Sequence, residues 1–422
     1  MIPTNFLELQ KQVEKSGGVE AFHPNLERIQ SFLVDEIANF KKSKIKIVTI
    51  AGTNGKGETA ICLSEILKQH KYHYTTWTSP HIMCLSERFG FENGNIEFEK
   101  LRDLVQKVIS EIENKNIKLS FYEILFVCFL RWTLELNPKF MILEVGLGGR
   151  LDAVNVFDAD ILVLTSISRD HQEFLGSAYH QILAEKMGLV RKNQIFYSAL
   201  ELNYLRQITR LNRSEWNLQG FDLFELKILD FKHNFHQRNR YLALVVACDL
   251  INIAWKNASE LQSIYSTWQL DSMNLNFRGN TLKYDQLRIH FFGSHNPDGL
   301  RKLVQKLKRD RYNFTSKKLT WIFSFSKRSV DDLRTMFLMI KELEDCGEVV
   351  IPVLFEHTKA ADTVVLKELS ATILGKEIID DWKTFFQELP KKKNTTADVV
   401  VTGSYYFVGQ VQSFIQGLSR SS

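Results

Sequence analysis

Apolar positions recur along this chain in two rhythms. Short, nearly continuous runs at KIKIVTI (44–50), YTTWT (74–78), KFMILEVG (139–146) and DILVLTSI (160–167) read as buried strands of a parallel sheet. Between them, EFEKLRDLVQKVISEIENK (97–115) and FYEILFVCFLRWTLEL (121–136) are long enough to be helices. Repeated strand and helix alternation predicts an α/β fold with helices on both faces, its functional loops gathered at the carboxyl ends of the strands. A second α/β unit is expected from about residue 285. Its strands are RIHFFG, KLTWIFSF, EVVIPVLF and ADVVVTGS, and its helices LRKLVQKLKRD, VDDLRTMFLMIKELED and YFVGQVQSFIQGL. LDSMNLNFRGNTL (270–282) reads as the connection. The expected boundaries are 1–280 and 285–422.

Composition narrows the class. A chain of 422 residues exceeds one ordinary core. With 44% hydrophobic and 24% charged residues it matches a globular protein in water. The formal net charge of +5 suits anionic ligands and is too dispersed for a nucleic-acid surface. The run Lys391-Lys392-Lys393 reads as a solvated loop. Five cysteines at 62, 84, 128, 248 and 346 lack metal-ligand spacing and point to a reducing compartment. No window reaches the roughly 18 apolar residues that span a bilayer, and the first residues carry no secretory pattern. The expectation is a cytoplasmic monomer without membrane or nucleic-acid partners.

Candidate chemistry sits just past the predicted strand ends. AGTNGKGETA (51–60) follows the first strand and opens a helix, the order that cradles phosphates on backbone N–H groups. Gly52, Thr53, Asn54, Gly55, Lys56, Gly57, Glu58 and Thr59 are its candidate contacts. TSPHI (78–82), EVGLGGRLDAVN (144–155) and SISRDHQEFLG (166–176) occupy equivalent places. Taken singly, Ser79-Pro80 is a turn, Glu144 a structural carboxylate and His171 a capping residue. Four such stretches at equivalent strand ends read as one site. There Lys56 and the loop amides would hold phosphates, while Ser79, Glu144 and His171 would hold a divalent cation. Magnesium suits the oxygens, and the imidazole also admits manganese.

In order, NLERI, AGTNGKG, YTTWTSPHI with SERFGF, SFYE, EVGLGGRLDAVN, TSISRDHQEFLG, AEKMGL, HQRN, SHNP and VVVTGSYYFVG make the chain resemble the folylpolyglutamate synthase and dihydrofolate synthase family of the Mur ligase superfamily. The resemblance runs from about residue 20 almost to the end. It implies a Mur-ligase-like N-terminal P-loop ATPase domain plus a smaller, Rossmann-like C-terminal domain that closes over nucleotide and glutamate. The implied reaction phosphorylates a folate-type carboxylate with ATP, and the glutamate amine then displaces phosphate. Lys56, Glu144, His171 and Lys186 carry the catalytic expectation, with Lys186 as a carbamate. Carbamate formation needs a neutral amine, so burial must lower the Lys186 pKa. Asn239, Arg278 and His295 are expected at the nucleotide, and Arg28, Pro80, His81 and Arg88 at the folate.

Three departures accompany this pattern. Glu58 stands where the resemblance implies a magnesium-binding serine; a carboxylate there ligates the ion directly or repels the triphosphate, and Thr59 is a possible substitute. Phe292 replaces an aspartate beside the nucleotide, and Lys327-Arg328-Ser329 replaces Asp-Lys-Asp. Val154 is a milder change. A ligase for another acceptor acid and a non-catalytic nucleotide-binding paralogue are the alternative readings.

Overall fold

The computed structural model describes residues 3–18, 25–191, 194–200, 203, 225–228, 235–270, 281–391 and 397–421. The chain divides into two compact units, Met1–Met273 and Asn274–Ser422.

The first unit holds eight strands: β1 (Lys46–Ala51), β2 (Tyr74–Trp77), β3 (Phe89–Phe91), β4 (Gly94–Asn95), β5 (Phe140–Glu144), β6 (Ile161–Leu164), β7 (Ile195–Ser198) and β8 (Glu225–Ile228). They lie in the order β4-β3-β2-β5-β1-β6-β7-β8. From β2 to β8 every pairing is parallel, and the β3-β4 hairpin adds an antiparallel edge. All four sequence-predicted strands are present. Ile50 pairs with Glu144, Ala51 with Leu164 and Trp77 with Leu143, so β1, β2, β5 and β6 end almost level. The loops that follow them therefore emerge together.

Helix Phe121–Leu136 shows why its residues form a helix inside the protein. Ser120 Oγ accepts from the Glu123 N–H and the Glu123 carboxylate accepts from the Ser120 N–H, a reciprocal start cap. From Ile124 to Leu130 every residue is fully buried. A helix apolar on all sides belongs in a core, and this one packs with Trp77, Phe89 and the helix Phe98–Lys115. Among the described residues no helix is long and apolar enough to cross a membrane.

The second unit has five strands: β9 (Thr281–Tyr284), β10 (Leu287–Phe291), β11 (Thr320–Phe323), β12 (Val349–Pro352) and β13 (Asp398–Thr402), in the order β12-β11-β13-β10-β9. Apolar clusters cover both faces. Leu303, Phe337 and Leu366 belong to one, and Phe386, Phe407 and Ile415 to the other. The α/β class with two units is as expected from the pattern. Strand β9 was not: Thr281 and Leu282, read as the tail of a connection, open an antiparallel edge strand. Its burial alternates weakly between exposed and half-buried, so it lacks the apolar run that marks the parallel strands.

Asp398, fully buried at the start of β13, anchors this unit. It accepts from Arg288 Nε at 2.7 Å, His290 Nε2 at 3.0 Å, Thr315 Oγ1 at 2.9 Å and the Ser316 N–H at 2.9 Å. Burial alone would raise its pKa. The Arg288, His290, Ser316 and Thr315 bonds outweigh that and hold it well below the usual carboxylate range. Its contribution to stability is therefore complete above about pH 4 and fades as pH falls through the folded-state value. Asp398→Asn should cost about 3 kcal/mol near neutral pH, because Arg288 loses its buried counter-charge. Urea unfolding of wild type and variant measures this, and the difference should shrink in acid.

Candidate active site

Strand β1 delivers the chain at Ala51 into a turn only glycine tolerates. Gly52 has φ of +144°, and a Cβ there would lie 2.0 Å from Thr165 Oγ1. Gly55, at φ +93°, precedes the helix Lys56–Gln69, and a Cβ on it would strike the Asn239 amide at 2.6 Å. The turn between them is laced to the loop after β6. The Thr53 N–H donates to Ser166 O at 2.8 Å, and its Oγ1 accepts from the Ser168 N–H at 3.0 Å. The Asn54 N–H donates to Ser166 Oγ at 2.9 Å, while the Thr165 and Ser166 hydroxyls donate to Asn54 O at 2.8 Å. These hydroxyls were missing from the sequence reading, although the TSIS stretch contains them. Gly57 is buried in the first helical turn.

Two lysines converge on one carbonyl oxygen. Lys56 Nζ donates to Gly52 O and Thr53 O at 3.2 Å, and Lys186 Nζ donates to Gly52 O at 3.0 Å and to Gly148 O at 3.4 Å. Lys186 lies on helix Tyr179–Met187 and is 3% exposed. Burial first, then the neighbouring Lys56 charge, lower its pKa to about 7; Asp170, Asp152 and Glu185 only partly offset this. That is the low pKa the sequence argument required.

Beside the loop, at the end of β5, Glu144 is 1% exposed and its Oε2 accepts from the Ser79 N–H at 3.0 Å. Ser79 and Glu144 are thus together. His171 lies in the left-handed region, φ +49°, with its imidazole 45% exposed, 4.0 Å from the buried Asp170 and 3.9 Å from Glu173. Asp152 sits nearby in sequence, closing the glycine loop that follows β5. Its carboxylate accepts from the Leu147 and Val154 N–H groups, and burial pushes its pKa up to about 6. Sequence reasoning quoted its motif without assigning it a role.

Glu58 is 7% exposed and turned toward the helix Phe235–Leu250. Its Oε1 accepts from His236 Nδ1 at 2.6 Å and its Oε2 from Asn239 Nδ2 at 2.7 Å, with Arg240 Nε at 4.0 Å. Burial raises its pKa, but the His236 charge and hydrogen bond, Asn239 and Arg240 together lower it. The carboxylate is an anion with hydrogen-bond donors of its own. Thr59 Oγ1 donates back to Gly55 O at 2.9 Å and is fully buried.

On the side expected to take the folate, Arg28 Nη2 bonds both Glu123 oxygens, at 3.0 and 2.7 Å. The arginine therefore pairs across the fold, with the SFYE motif, and not locally on its own helix. The buried Arg88 donates from Nε to His81 Nδ1 at 2.9 Å, and Pro80 lies half-buried beside them in sequence. In the second unit, His295 Nδ1 lies 3.0 Å from Gly293 O and its ring centroid 4.8 Å from that of Tyr405. Arg278 lies outside the described residues.

The remaining departures have local roles. Phe292 packs against the apolar cluster of the second unit, Val154 is fully buried, and Ser329 Oγ caps the helix Val330–Asp345 by accepting from the Asp332 N–H.

Residues 273–414 match the family model described as "Dihydrofolate synthetase, C-terminal domain". The chain is 25% identical over 409 residues to the dihydrofolate synthase/folylpolyglutamate synthase of Bacillus subtilis, covering 88% of this chain and 90% of that one. It also resembles the E. coli FolC structure in complex with DHPP and ADP, with a TM-score of 0.78 at 21% identity over 100% of both chains. A bifunctional folylpolyglutamate synthase/dihydrofolate synthase with Mn, AMPPNP and L-glutamate bound superposes with a TM-score of 0.77 at 21% identity, covering 99% of this chain and 100% of that one.

The low pKa of Lys186 predicts a pH dependence of stability. Between about 7 and the unfolded lysine value of about 10.4, the unfolded chain keeps a proton that the folded chain releases. Stability should therefore rise with pH across that window. In CO2-free buffer, urea unfolding should show wild type gaining about 2 kcal/mol on Lys186→Met between about pH 7 and about pH 9.

Proposed function

We propose that the chain is a member of the dihydrofolate synthase/folylpolyglutamate synthase family, which it resembles over most of its length, and that it spends ATP to join L-glutamate to the carboxylate of a folate-type acid. The observation that carries this reading is the laced glycine loop with Lys56 and Lys186 on one carbonyl, next to the buried Glu144. The loop N–H groups and Lys56 take the β- and γ-phosphates and screen their charge as the acid's carboxylate approaches. A carboxylate oxygen attacks the γ-phosphorus, the bond to the ADP oxygen breaks, and an acyl phosphate forms. The glutamate amine then attacks the acyl carbon. Phosphate leaves with the C–O bond electrons, and the nitrogen loses a proton to give the amide.

Glu144, Ser79 and His171 offer a carboxylate, a hydroxyl and an imidazole, a donor set that fits Mg2+ and admits Mn2+. Such an ion, when bound, neutralises phosphate charge and stabilises the transferring group. With a pKa of about 7, Lys186 is roughly half neutral near pH 7. Its free amine can attack CO2, release a proton and become a carbamate, replacing a cation crowded against Lys56 by an anion. We assign residues 1–280 the loop, metal and folate sites, with Asn239 at the nucleotide. Residues 285–422, through His295, are assigned a share of nucleotide and glutamate binding. The substrates are ATP, L-glutamate and the folate-type acid, for a monomer in the cytoplasm, where the five free cysteines stay reduced. Relatives matched over most of the chain carry both activity names, which favours use of both dihydropteroate and tetrahydrofolate.

Phosphate release from Mg-ATP with glutamate should appear with each acceptor separately. Activity with one acceptor alone limits the enzyme to that half of the chemistry, and silence with both, from protein that binds ATP, points to another acid. Glu144→Ala should reduce ligation at least a hundredfold without unfolding the protein, about the loss expected for one dominant electrostatic group. Lys186→Ala should be inactive, regain partial activity with short carboxylic acids, and lose the carbamyl signal that 13C-bicarbonate gives in wild type. A Lys186→Ala enzyme that no acid rescues would leave the lysine an ordinary cation.

A further inference from the structure

Glu58 presents a physical puzzle that metal or phosphate binding does not resolve. A buried carboxylate at the first turn of a phosphate-loop helix is costly unless it is paired. Here both oxygens are used. His236 Nδ1 lies 2.6 Å from one and Asn239 Nδ2 2.7 Å from the other. At 2.6 Å from a carboxylate, Nδ1 carries the shared proton. His236 Nε2 has no hydrogen-bond partner among the described residues, so the contact to Glu58 is what fixes the ring there. The ring is further held against Phe235, centroid to centroid 3.9 Å.

The same helix meets the loop a second time. Gly55, the residue before the first helical turn, packs so closely on Asn239 that a Cβ would lie 2.6 Å from its Nδ2 and 2.7 Å from its Oδ1. Asn239 is 2% exposed and thus clamped between Gly55 and Glu58. Its side chain can choose neither its distance from the loop nor its rotation.

We propose that Glu58 is a positioning residue. It docks the helix Phe235–Leu250 onto the phosphate loop through His236 and Asn239, and so sets the affinity for the nucleotide without touching it. The proposal rests on the reading above, that the loop binds ATP. It departs from both alternatives raised by the sequence, a cation ligand and a carboxylate repelling the triphosphate, since both Glu58 oxygens are taken by His236 and Asn239.

The test compares Glu58→Ala, His236→Ala, their double variant and Glu58→Gln. ATP affinity is measured by titration at saturating magnesium, and activity is then measured against magnesium concentration. The expected result is that Glu58→Ala and His236→Ala each weaken ATP binding about tenfold or more, the usual scale for one charged hydrogen bond. The double variant should be no weaker than the worse single one, and Glu58→Gln, which still accepts from Asn239, should recover part of the affinity. The magnesium requirement should stay at the wild-type value in all four. ATP affinity in Glu58→Ala equal to wild type overturns the proposal. So does a raised magnesium requirement in Glu58→Ala but not in His236→Ala, which would make Glu58 a metal ligand, and so does tighter ATP binding on loss of Glu58. Thermal unfolding of the same set gives an independent reading, since additive losses would show that the two side chains do not act as a unit. Wild-type protein that binds no ATP would overturn the functional reading itself, and the unfolding cycle would still decide whether Glu58 and His236 are coupled.

Discussion

The site depends on the parallel pairing of β1 with β5 and β6. Because Ile50 sits opposite Glu144 and Ala51 opposite Leu164, the strands terminate together and their loops share one edge. A one-residue slip in either pairing would turn alternate side chains to the opposite face of the sheet. Glu144 would leave Ser79, and Thr165 and Ser166 would leave the carbonyl of Asn54 that they now hold. The register is secured from both faces, since β1 from Ile47 to Ala51 is buried throughout.

On that edge the electrostatics are arranged by burial. Lys56 and Lys186 share the Gly52 carbonyl, and burial first, then the Lys56 charge, lower the Lys186 pKa. Glu58, three residues from the loop glycine Gly55, answers His236 and Asn239 instead of the phosphate side. The first turn of the loop helix therefore separates two environments. One holds two lysines on the Gly52 carbonyl; the other is a buried carboxylate bonded to His236 and Asn239 that joins two helices.

Much of the site was legible in the chain. The loop glycines, Lys56, Ser79 and Glu144 could be placed because phosphate loops and strand ends have short-range signatures in residue type and spacing, whereas Lys186, inside a helix, was singled out through the family resemblance. The runs that became β1, β2, β5 and β6 were legible for the same reason, since a strand buried on both faces reads as a nearly continuous apolar stretch. The edge strand β9 escaped because a half-exposed strand carries no such run. Arg28 was expected at the folate, and the structure pairs it with Glu123, 95 residues away. Nothing local in either segment specifies that ion pair.

Glu58 marks the limit most sharply. The sequence by itself determined that a carboxylate follows the Gly-Lys-Gly of the loop, that buried strands alternate with helices, and that the motif residues lie past strand ends. It left open whether that carboxylate meets a cation, a phosphate or another side chain. Only the tertiary structure decided this, by laying the helix Phe235–Leu250 along the helix Lys56–Gln69 and bringing His236 within 2.6 Å. The physical reason is range. Backbone propensity, glycine conformation and apolar periodicity act over a few residues, whereas the charge state and role of a buried group depend on whichever segments packing places around it.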